Sequence, residues 1–200
     1  MEHILSVKAK IEKFISSMAT TYYWYSHSIN FNGGLILTGG AIASLLQGEK
    51  PKDWDFYFEN MEDCRIFSKI VTQQYKNDIA DVDDHYKEFL GKDGKMITAN
   101  SITMNNGASF ITMLVGKPNE IRAHFDYVHC LPYYDLKKRM LYISKQQYDA
   151  CVNKTLILNN KKAYKGYRHD KFIKRGYTSL YNNILQPDEN KGSIFTGINS

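Results

Sequence analysis

A pair of glycines between a buried strand and an amphipathic helix is the feature that most constrains how this chain folds. Gly39 and Gly40 follow the apolar run 33–37, and apolar residues recur at helical spacing from Ile42 to Leu46. Glycine lets the backbone turn sharply and approach a ligand where a Cβ would intrude. A helix that opens near Gly40 also directs its unpaired N–H groups at whatever lies over the turn. We therefore predict a phosphate-binding turn.

The next predicted strand carries two aspartates one residue apart. Along residues 53–58 the side chains alternate, so Asp53, Asp55 and Tyr57 share one face while the aromatic residues between them share the other. Carboxylates at positions i and i+2 of a strand lie roughly 6.5–7 Å apart at Cα. Both can bind hard cations such as Mg²⁺ that bridge to nucleotide phosphates. An Asp-x-Asp pair alone is often a solvated strand face, but next to the glycine turn it predicts a metal site.

The order Gly-Gly, short helix, Asp-x-Asp resembles the signature of the DNA polymerase β-like nucleotidyltransferase superfamily. The stretch is most similar to the head domain of CCA-adding enzymes and bacterial poly(A) polymerases, in which Gly-Gly-x-Val-Arg-Asp-x-Leu-Leu-Gly leads to Asp-x-Asp. Ala43 and Ser44 stand where that motif has Arg-Asp. The resemblance implies nucleotidyl transfer from an NTP with Mg²⁺ or Mn²⁺ as cofactor. The nucleotide-binding residues that it implies at the turn are Thr38, Gly39, Gly40 and Ser44.

Two later segments, 115–130 and 168–177, resemble stretches of small nucleotidyltransferase-like proteins encoded by bacteriophages. In the superfamily the third catalytic carboxylate lies on a later core strand. Asp126, which opens the apolar run 127–131, is the matching position. The resemblance therefore implies that this run is a strand and that Asp126 joins the two earlier aspartates as a catalytic, metal-binding residue.

A basic face on the last predicted helix is the second functional signal. Arg168, Lys171 and Arg175 fall at positions i, i+3 and i+7, which places them on one face. Such a row is often only a solvated surface, and the helix dipole also favours cations near a C-terminus. Beside the predicted metal site, we expect the three side chains to bind the triphosphate or the backbone of an acceptor. Lysines and tyrosines between residues 161 and 167 extend this surface.

Two other clusters of reactive side chains have simpler interpretations. A rival metal cluster is formed by Asp78, Asp81, Asp83, Asp84 and His85. Its stretch is polar and weakly periodic, so we expect a solvated loop there. His129 and Cys130 would point to opposite faces of a strand, so we expect core packing from them and no shared ligand.

Composition excludes several classes of protein. The three cysteines are an odd number without close spacing, which argues against a disulfide framework or a structural zinc site. No apolar run approaches the roughly 20 residues that span a bilayer, and no secretory leader pattern opens the chain. The net charge of +5 suits a polyanionic partner such as RNA. We expect a cytoplasmic protein without membrane contact, in the bacterial host cytoplasm if it is phage-encoded; a protein partner stays open.

The local patterns predict an α/β fold in which helices flank a mixed sheet. We expect a nucleotidyltransferase core over residues 1–132, followed by a small extension, 133–200, that carries the basic helix and packs on the core. The apolar spacing predicts a helix at the N-terminus, Asn105-Asn106-Gly107 predicts a hairpin turn, and Ser144 is the expected cap of a later helix.

The predicted function is metal-dependent transfer of a nucleoside monophosphate from an NTP to a hydroxyl, with an RNA or a tRNA 3′ end as acceptor and pyrophosphate as product. Two alternatives stay open. A toxin-like nucleotidyltransferase would share every motif residue and modify a host tRNA or protein. A non-catalytic nucleotide-binding or partner-binding module would keep the fold without using the metal ions.

Overall fold

A seven-stranded mixed sheet lies at the centre of the computed structural model, which describes residues 2–21, 34–74, 76–83 and 100–180. Its strands are β1 (Leu35–Thr38), β2 (Trp54–Phe58), β3 (Ile79–Asp83), β4 (Ser101–Met104), β5 (Ala108–Ile111), β6 (Tyr133–Asp135) and β7 (Met140–Tyr142). The order across the sheet is β3-β4-β5-β2-β1-β6-β7. β2 and β5 run parallel, and the other neighbours in this sheet are antiparallel.

Helices flank this sheet, as predicted. They are α1 (Glu2–Thr21), α2 (Gly40–Leu46), α3 (Met61–Gln74), α4 (Pro118–Ala123), α5 (Lys145–Val152) and α6 (Gly166–Lys174). Short 3₁₀ turns lie at Lys76–Asp78, Val128–Cys130 and Lys161–Ala163, and a separate parallel pair consists of β8 (Thr155–Leu156) and β9 (Thr178–Ser179). None of the described helices is long and apolar enough to span a membrane.

The main core lies between one face of the sheet and α1, α2 and α3. The inner row of α1 is apolar at helical spacing, and it packs in one cluster with Phe56 and Phe58 of β2. Phe14 of α1 stacks on Trp54 at 4.0 Å between ring centroids, and Phe56 lies 5.2 Å from Phe110 of β5. These rings bury one face of β2. The opposite face carries Asp55 and contributes to a smaller apolar cluster and to the candidate site.

Several local predictions are confirmed. The turn at 105–107 joins β4 to β5 as a hairpin, and α1 and α2 lie where the sequence patterns placed them. The Ser144 hydroxyl accepts a hydrogen bond from the N–H of Gln147, which caps α5. The sheet continues past residue 132, because β6 and β7 pair beside β1.

Two predicted elements are wrong. Residues 127–131 do not form a strand of the sheet; Asp126 precedes the 3₁₀ turn Val128–Cys130, and Tyr127 makes an isolated bridge to Leu158. A short apolar run is compatible with either conformation, so its periodicity could not decide between them. The acidic stretch expected to be a loop contains the strand β3, which pairs with β4 through a register shift. Asp84 and His85 of that rival cluster, and residues 181–200, lie outside the described residues.

Candidate active site

The glycine turn brings the end of β1 close to Asp55. Gly39 has φ +84°, a backbone conformation that residues with a side chain rarely adopt. Its N–H donates a hydrogen bond to the Cys130 carbonyl at 3.1 Å. A Cβ built on Gly39 would lie 3.4 Å from Asp55 Oδ2, whereas a Cβ on Gly40 would meet nothing within 4 Å. The positive φ therefore favours glycine at position 39, where a Cβ would only reach ordinary contact with Asp55, and Gly40 borders open space.

Thr38 lies beside this turn but is sequestered. Its side chain is buried, and its hydroxyl donates to the carbonyls of Pro132 at 2.8 Å and Cys130 at 3.2 Å. The residue does not line the cavity described below. Its hydrogen bonds fasten the end of β1 to the segment that follows Asp126. Ser44, which was also expected to contact nucleotide, is almost fully buried in α2 and does line the cavity.

Asp55 lies on the face of β2 opposite the main core, and Asp53 directly precedes this strand. Asp53 is exposed and Asp55 is partly buried. Burial and the negative charge of Asp53 raise the pKa of Asp55 to about 6, although Arg168 and Lys171 act in the opposite direction. Within the described part of the chain, no ion pair reaches either carboxylate. The two carboxylates therefore repel each other without a compensating contact.

Asp126 is in a different state from the two strand aspartates. It is 2% exposed, and the Arg168 guanidinium contacts both of its oxygens, with Nε–Oδ2 at 2.6 Å and Nη2–Oδ1 at 3.2 Å. Burial lowers the pKa of Arg168, but the hydrogen bond and charge of Asp126, with smaller effects of neighbouring groups, act in the opposite direction, and the net shift is upward. In this structure the carboxylate predicted to bind metal is fully engaged by an arginine.

The helix α6 is fixed by an aromatic cluster behind its basic face. Phe172 packs edge-on against His129 at 4.5 Å between ring centroids and lies 5.3 Å from Tyr177. His129 is fully buried, and burial together with the nearby Arg168 and Arg175 lowers its pKa to about 3. The imidazole is therefore neutral near pH 7. Its burial confirms the core packing expected for His129 and Cys130.

These elements enclose a cavity of about 320 Å³. We call Asp53, Asp55 and Tyr57 the strand wall, and we call Lys165, Tyr167, Arg168, Lys171 and Arg175 the helix wall; all of them line it. Gly39, Gly40 and Ser44 form its floor, and Asp126 lies against the helix wall. Every site residue predicted from the sequence except Thr38 therefore borders one cavity.

The sequence analysis did not assign six of the lining residues to the site, namely Lys52, His124, Phe125, Cys130, Ala163 and Phe172. Lys52 and Phe125 directly precede the predicted site residues Asp53 and Asp126, and His124 lies two residues before Asp126; this proximity was the available signal for these three. The cavity is bordered by more lysine and arginine than aspartate. Among the described residues, no group of three histidine, cysteine, aspartate or glutamate side chains is placed to hold a metal ion. The cavity thus offers two carboxylates without ion pairs opposite a cationic surface.

The sequence of the chain matches the model of a known protein family. A model of the family described as Gabija anti-defense 2 matches residues 5–154. The chain belongs to the Gabija anti-defense 2 family. The match to this family includes the floor glycines, both strand aspartates and Asp126, whereas α6 lies beyond its end. No curated protein matches the chain.

Solved structures resemble the fold of this Gabija anti-defense 2 family member. The CCA-adding enzyme of Thermotoga maritima in complex with tRNA is 15% identical, with a TM-score of 0.50, and the match covers 74% of this chain and 35% of that one. A CCA-adding enzyme in an apo form is 14% identical, with a TM-score of 0.48 and coverage of 76% and 36%. The chain thus spans about a third of the length of these structures. At such identity the likeness to the Thermotoga enzyme shows a shared fold.

Proposed function

We propose that this protein is a metal-dependent nucleotidyltransferase that moves a nucleoside monophosphate from an NTP to a hydroxyl acceptor. One observation carries the proposal. Side chains from four separate segments of the chain meet at one cavity, with free carboxylates on the strand wall and cations on the helix wall. That division of charge suits a nucleoside triphosphate with a divalent cation, because the ion and the phosphates require opposite charges.

The strand wall fits Mg²⁺ or Mn²⁺. Asp53 and Asp55 supply the hard oxygen ligands that these ions prefer. The raised pKa of Asp55 arises from burial and from repulsion by Asp53, and a cation between the carboxylates would remove that repulsion. A bound divalent ion supplies electrostatic stabilisation to the displacement at phosphorus. The role of Asp126 as a third ligand stays a prediction, since Arg168 occupies its oxygens here.

The helix wall and the floor orient the substrate. Lys171 and Arg175 hold the triphosphate together with Arg168, while Gly39 and Gly40 leave room for it against the backbone. The acceptor oxygen bonds to the α-phosphorus, and the bond from that phosphorus to the oxygen bridging to the β-phosphate breaks. Pyrophosphate leaves with the electron pair of that bond, and the acceptor proton passes to solvent. The cations of the helix wall stabilise the charge that grows on the leaving group.

RNA is the proposed acceptor. The net charge of +5 favours a polyanionic partner, and one structural neighbour is a CCA-adding enzyme in complex with tRNA. Membership of an anti-defense family points to counter-defence against Gabija. We therefore propose that the reaction serves an anti-defence role in a bacterial cytoplasm, where a host tRNA or protein is the alternative acceptor of a toxin-like enzyme.

A non-catalytic nucleotide-binding module is the second candidate. The observation that favours it is the ion pair between Asp126 and Arg168, which leaves two carboxylates available where the sequence predicted three. Such a module would bind NTP through the same walls and transfer nothing.

The deciding experiment incubates the protein with each α-labelled NTP, Mg²⁺ or Mn²⁺, and bacterial total RNA or total protein. We expect label in RNA and release of pyrophosphate. The matched control is the Asp53→Asn, Asp55→Asn double variant, which keeps the size of both side chains. Label in protein alone would select the toxin-like alternative. NTP binding without label in any fraction would select the non-catalytic module.

A further inference from the structure

Tyr167 is the exposed aromatic residue of the helix wall. Its side chain is 67% exposed although the residue borders the cavity. No ring of the described residues packs against it, in contrast to Phe172 on the same helix, which packs against three rings. A flat apolar face is therefore open to solvent at the rim of a site that is otherwise lined by charge.

The position of Tyr167 on α6 separates it from the deepest cations. Arg168 and Phe172, one turn apart, face the body of the protein, where Phe172 is buried and Arg168 contacts Asp126. Tyr167 and Lys171, also one turn apart, form an outer row that is exposed. A ligand whose phosphates contact Arg168 and Lys171 would therefore extend outward toward Tyr167.

The size of the cavity also indicates that part of a bound NTP extends outward toward Tyr167. Its volume of about 320 Å³ lies at the lower end of pockets that enclose small organic ligands, roughly 300–1,000 Å³. The triphosphate is the part of an NTP that matches the charged interior, so the base is the part that must reach the rim. Aromatic side chains beside cations are the usual platform for a nucleobase, because every base has a π-face.

We propose that Tyr167 is the stacking platform for the nucleobase of the bound NTP. This inference rests on the proposed function, since it requires the cavity to hold an NTP. It adds that α6 contacts the base as well as the phosphates, and that recognition of the base is through its face. Purines should therefore bind more tightly than pyrimidines, without selection of a single base by hydrogen bonds.

The test compares two ligands that differ in the base. The affinities of ATP and of inorganic tripolyphosphate, each with Mg²⁺, are measured for the wild type and for Tyr167→Ala. We expect Tyr167→Ala to weaken ATP binding by about 5- to 150-fold and to leave tripolyphosphate binding within about twofold. Tyr167→Phe retains the ring and should bind ATP as the wild type does. UTP binding should fall less than ATP binding in Tyr167→Ala.

Ile173→Ala is the matched control, because Ile173 is exposed on the same helix but does not line the cavity. Equal losses for ATP and tripolyphosphate would mean that Tyr167 supports the helix, and unchanged ATP binding would mean that the base lies elsewhere; either result overturns the inference. A loss confined to a short oligoribonucleotide without a triphosphate would assign Tyr167 to the acceptor and also overturn it. Wild-type protein that binds neither ATP nor tripolyphosphate would refute the proposed function itself.

Discussion

The strand wall and the helix wall border the same cavity, but their charges are balanced differently. On the strand wall, Asp53 and Asp55 make no ion pair within the described residues, and the pKa of Asp55 is raised to about 6. On the helix wall, Arg168 is held by two hydrogen bonds to the buried Asp126. The strand wall is thus electrostatically incomplete without a ligand, whereas part of the helix wall is already neutralised.

This difference in charge balance suits the two walls to different tasks. Unpaired carboxylates destabilise the folded state slightly and gain most when a cation arrives, which suits a reactive centre. A buried ion pair fixes the position of a side chain, and removal of one partner is costly because the other is left without compensation. Under the proposed function, the strand wall would contribute the chemistry and the helix wall would position the substrate.

The largest effect should come from the strand wall. The Asp53→Asn, Asp55→Asn double variant should reduce nucleotidyl transfer by roughly three orders of magnitude or more, because it removes the charges that hold the metal ion. Circular dichroism and the urea midpoint should show an intact fold. Transfer at near wild-type rate would show that the strand wall does not hold the metal.

The second prediction concerns the ion pair. Arg168→Met keeps an apolar stem but leaves the Asp126 carboxylate buried without a partner. We expect unfolding free energy to fall by roughly 2–3 kcal/mol, below the value for a fully buried pair because Arg168 is 38% exposed. Adding Asp126→Asn to this variant should restore part of the stability. A change under about 0.5 kcal/mol in Arg168→Met would place the pair among surface contacts that contribute little.

The third prediction uses pH to examine the strand wall. The pKa of Asp55 rises from 3.8 to about 6 in the folded state, so the folded protein binds this proton more tightly than the unfolded chain. That contribution to stability is present below the lower value and is lost as pH rises through about 6. In EDTA, Asp55→Asn should match the wild type near pH 4 and be more stable by about 2 kcal/mol near pH 7.5.

Urea unfolding at a series of pH values measures this difference, and subtraction of the variant from the wild type cancels the titration of groups that do not interact with Asp55. Mg²⁺ should then stabilise the wild type at pH 7.5 and have little effect on Asp55→Asn. A difference that does not change with pH would contradict the raised pKa and with it the incomplete charge of the strand wall.

The smallest effect should come from a single exposed cation. Lys171 lines the cavity and Lys174, on the same helix, does not. Lys171→Ala should weaken NTP or RNA binding by a few-fold, and the log–log salt slope of RNA binding should become shallower by roughly one unit for a lost phosphate contact. Lys174→Ala is the control and should change neither quantity. Equal effects of the two variants would reduce the helix wall to general surface charge.

The parts of the site that depend on local pattern could be predicted from the sequence. The turn at Gly39, the helix after it and the alternation along β2 each arise within a few residues, so spacing alone was sufficient. The ion pair between Asp126 and Arg168 joins residues 42 positions apart, and no local rule indicates it. Thr38 is a similar case, because its hydroxyl is taken by the carbonyls of Cys130 and Pro132.

Two elements of secondary structure also could not be predicted from the local sequence. The run 127–131 is apolar enough for a strand, but the tertiary structure uses it as a 3₁₀ turn. The acidic stretch 78–83 lacks a clear apolar face in its sequence, and its strand arises from pairing with β4. Contacts beyond the local sequence therefore decided that β3 is a strand.

The hydrogen bonds at the end of β1 also bear on how a ligand enters and leaves. Gly39 and Thr38 together make three bonds to the carbonyls of Cys130 and Pro132, so the floor moves only if several buried bonds break at once. The outer end of α6 is exposed at Tyr167, and there the side chain of Arg168 makes two hydrogen bonds to Asp126. Fluctuations that open the cavity should therefore start at the N-terminal turn of α6, and amide exchange should be faster there than at Gly39.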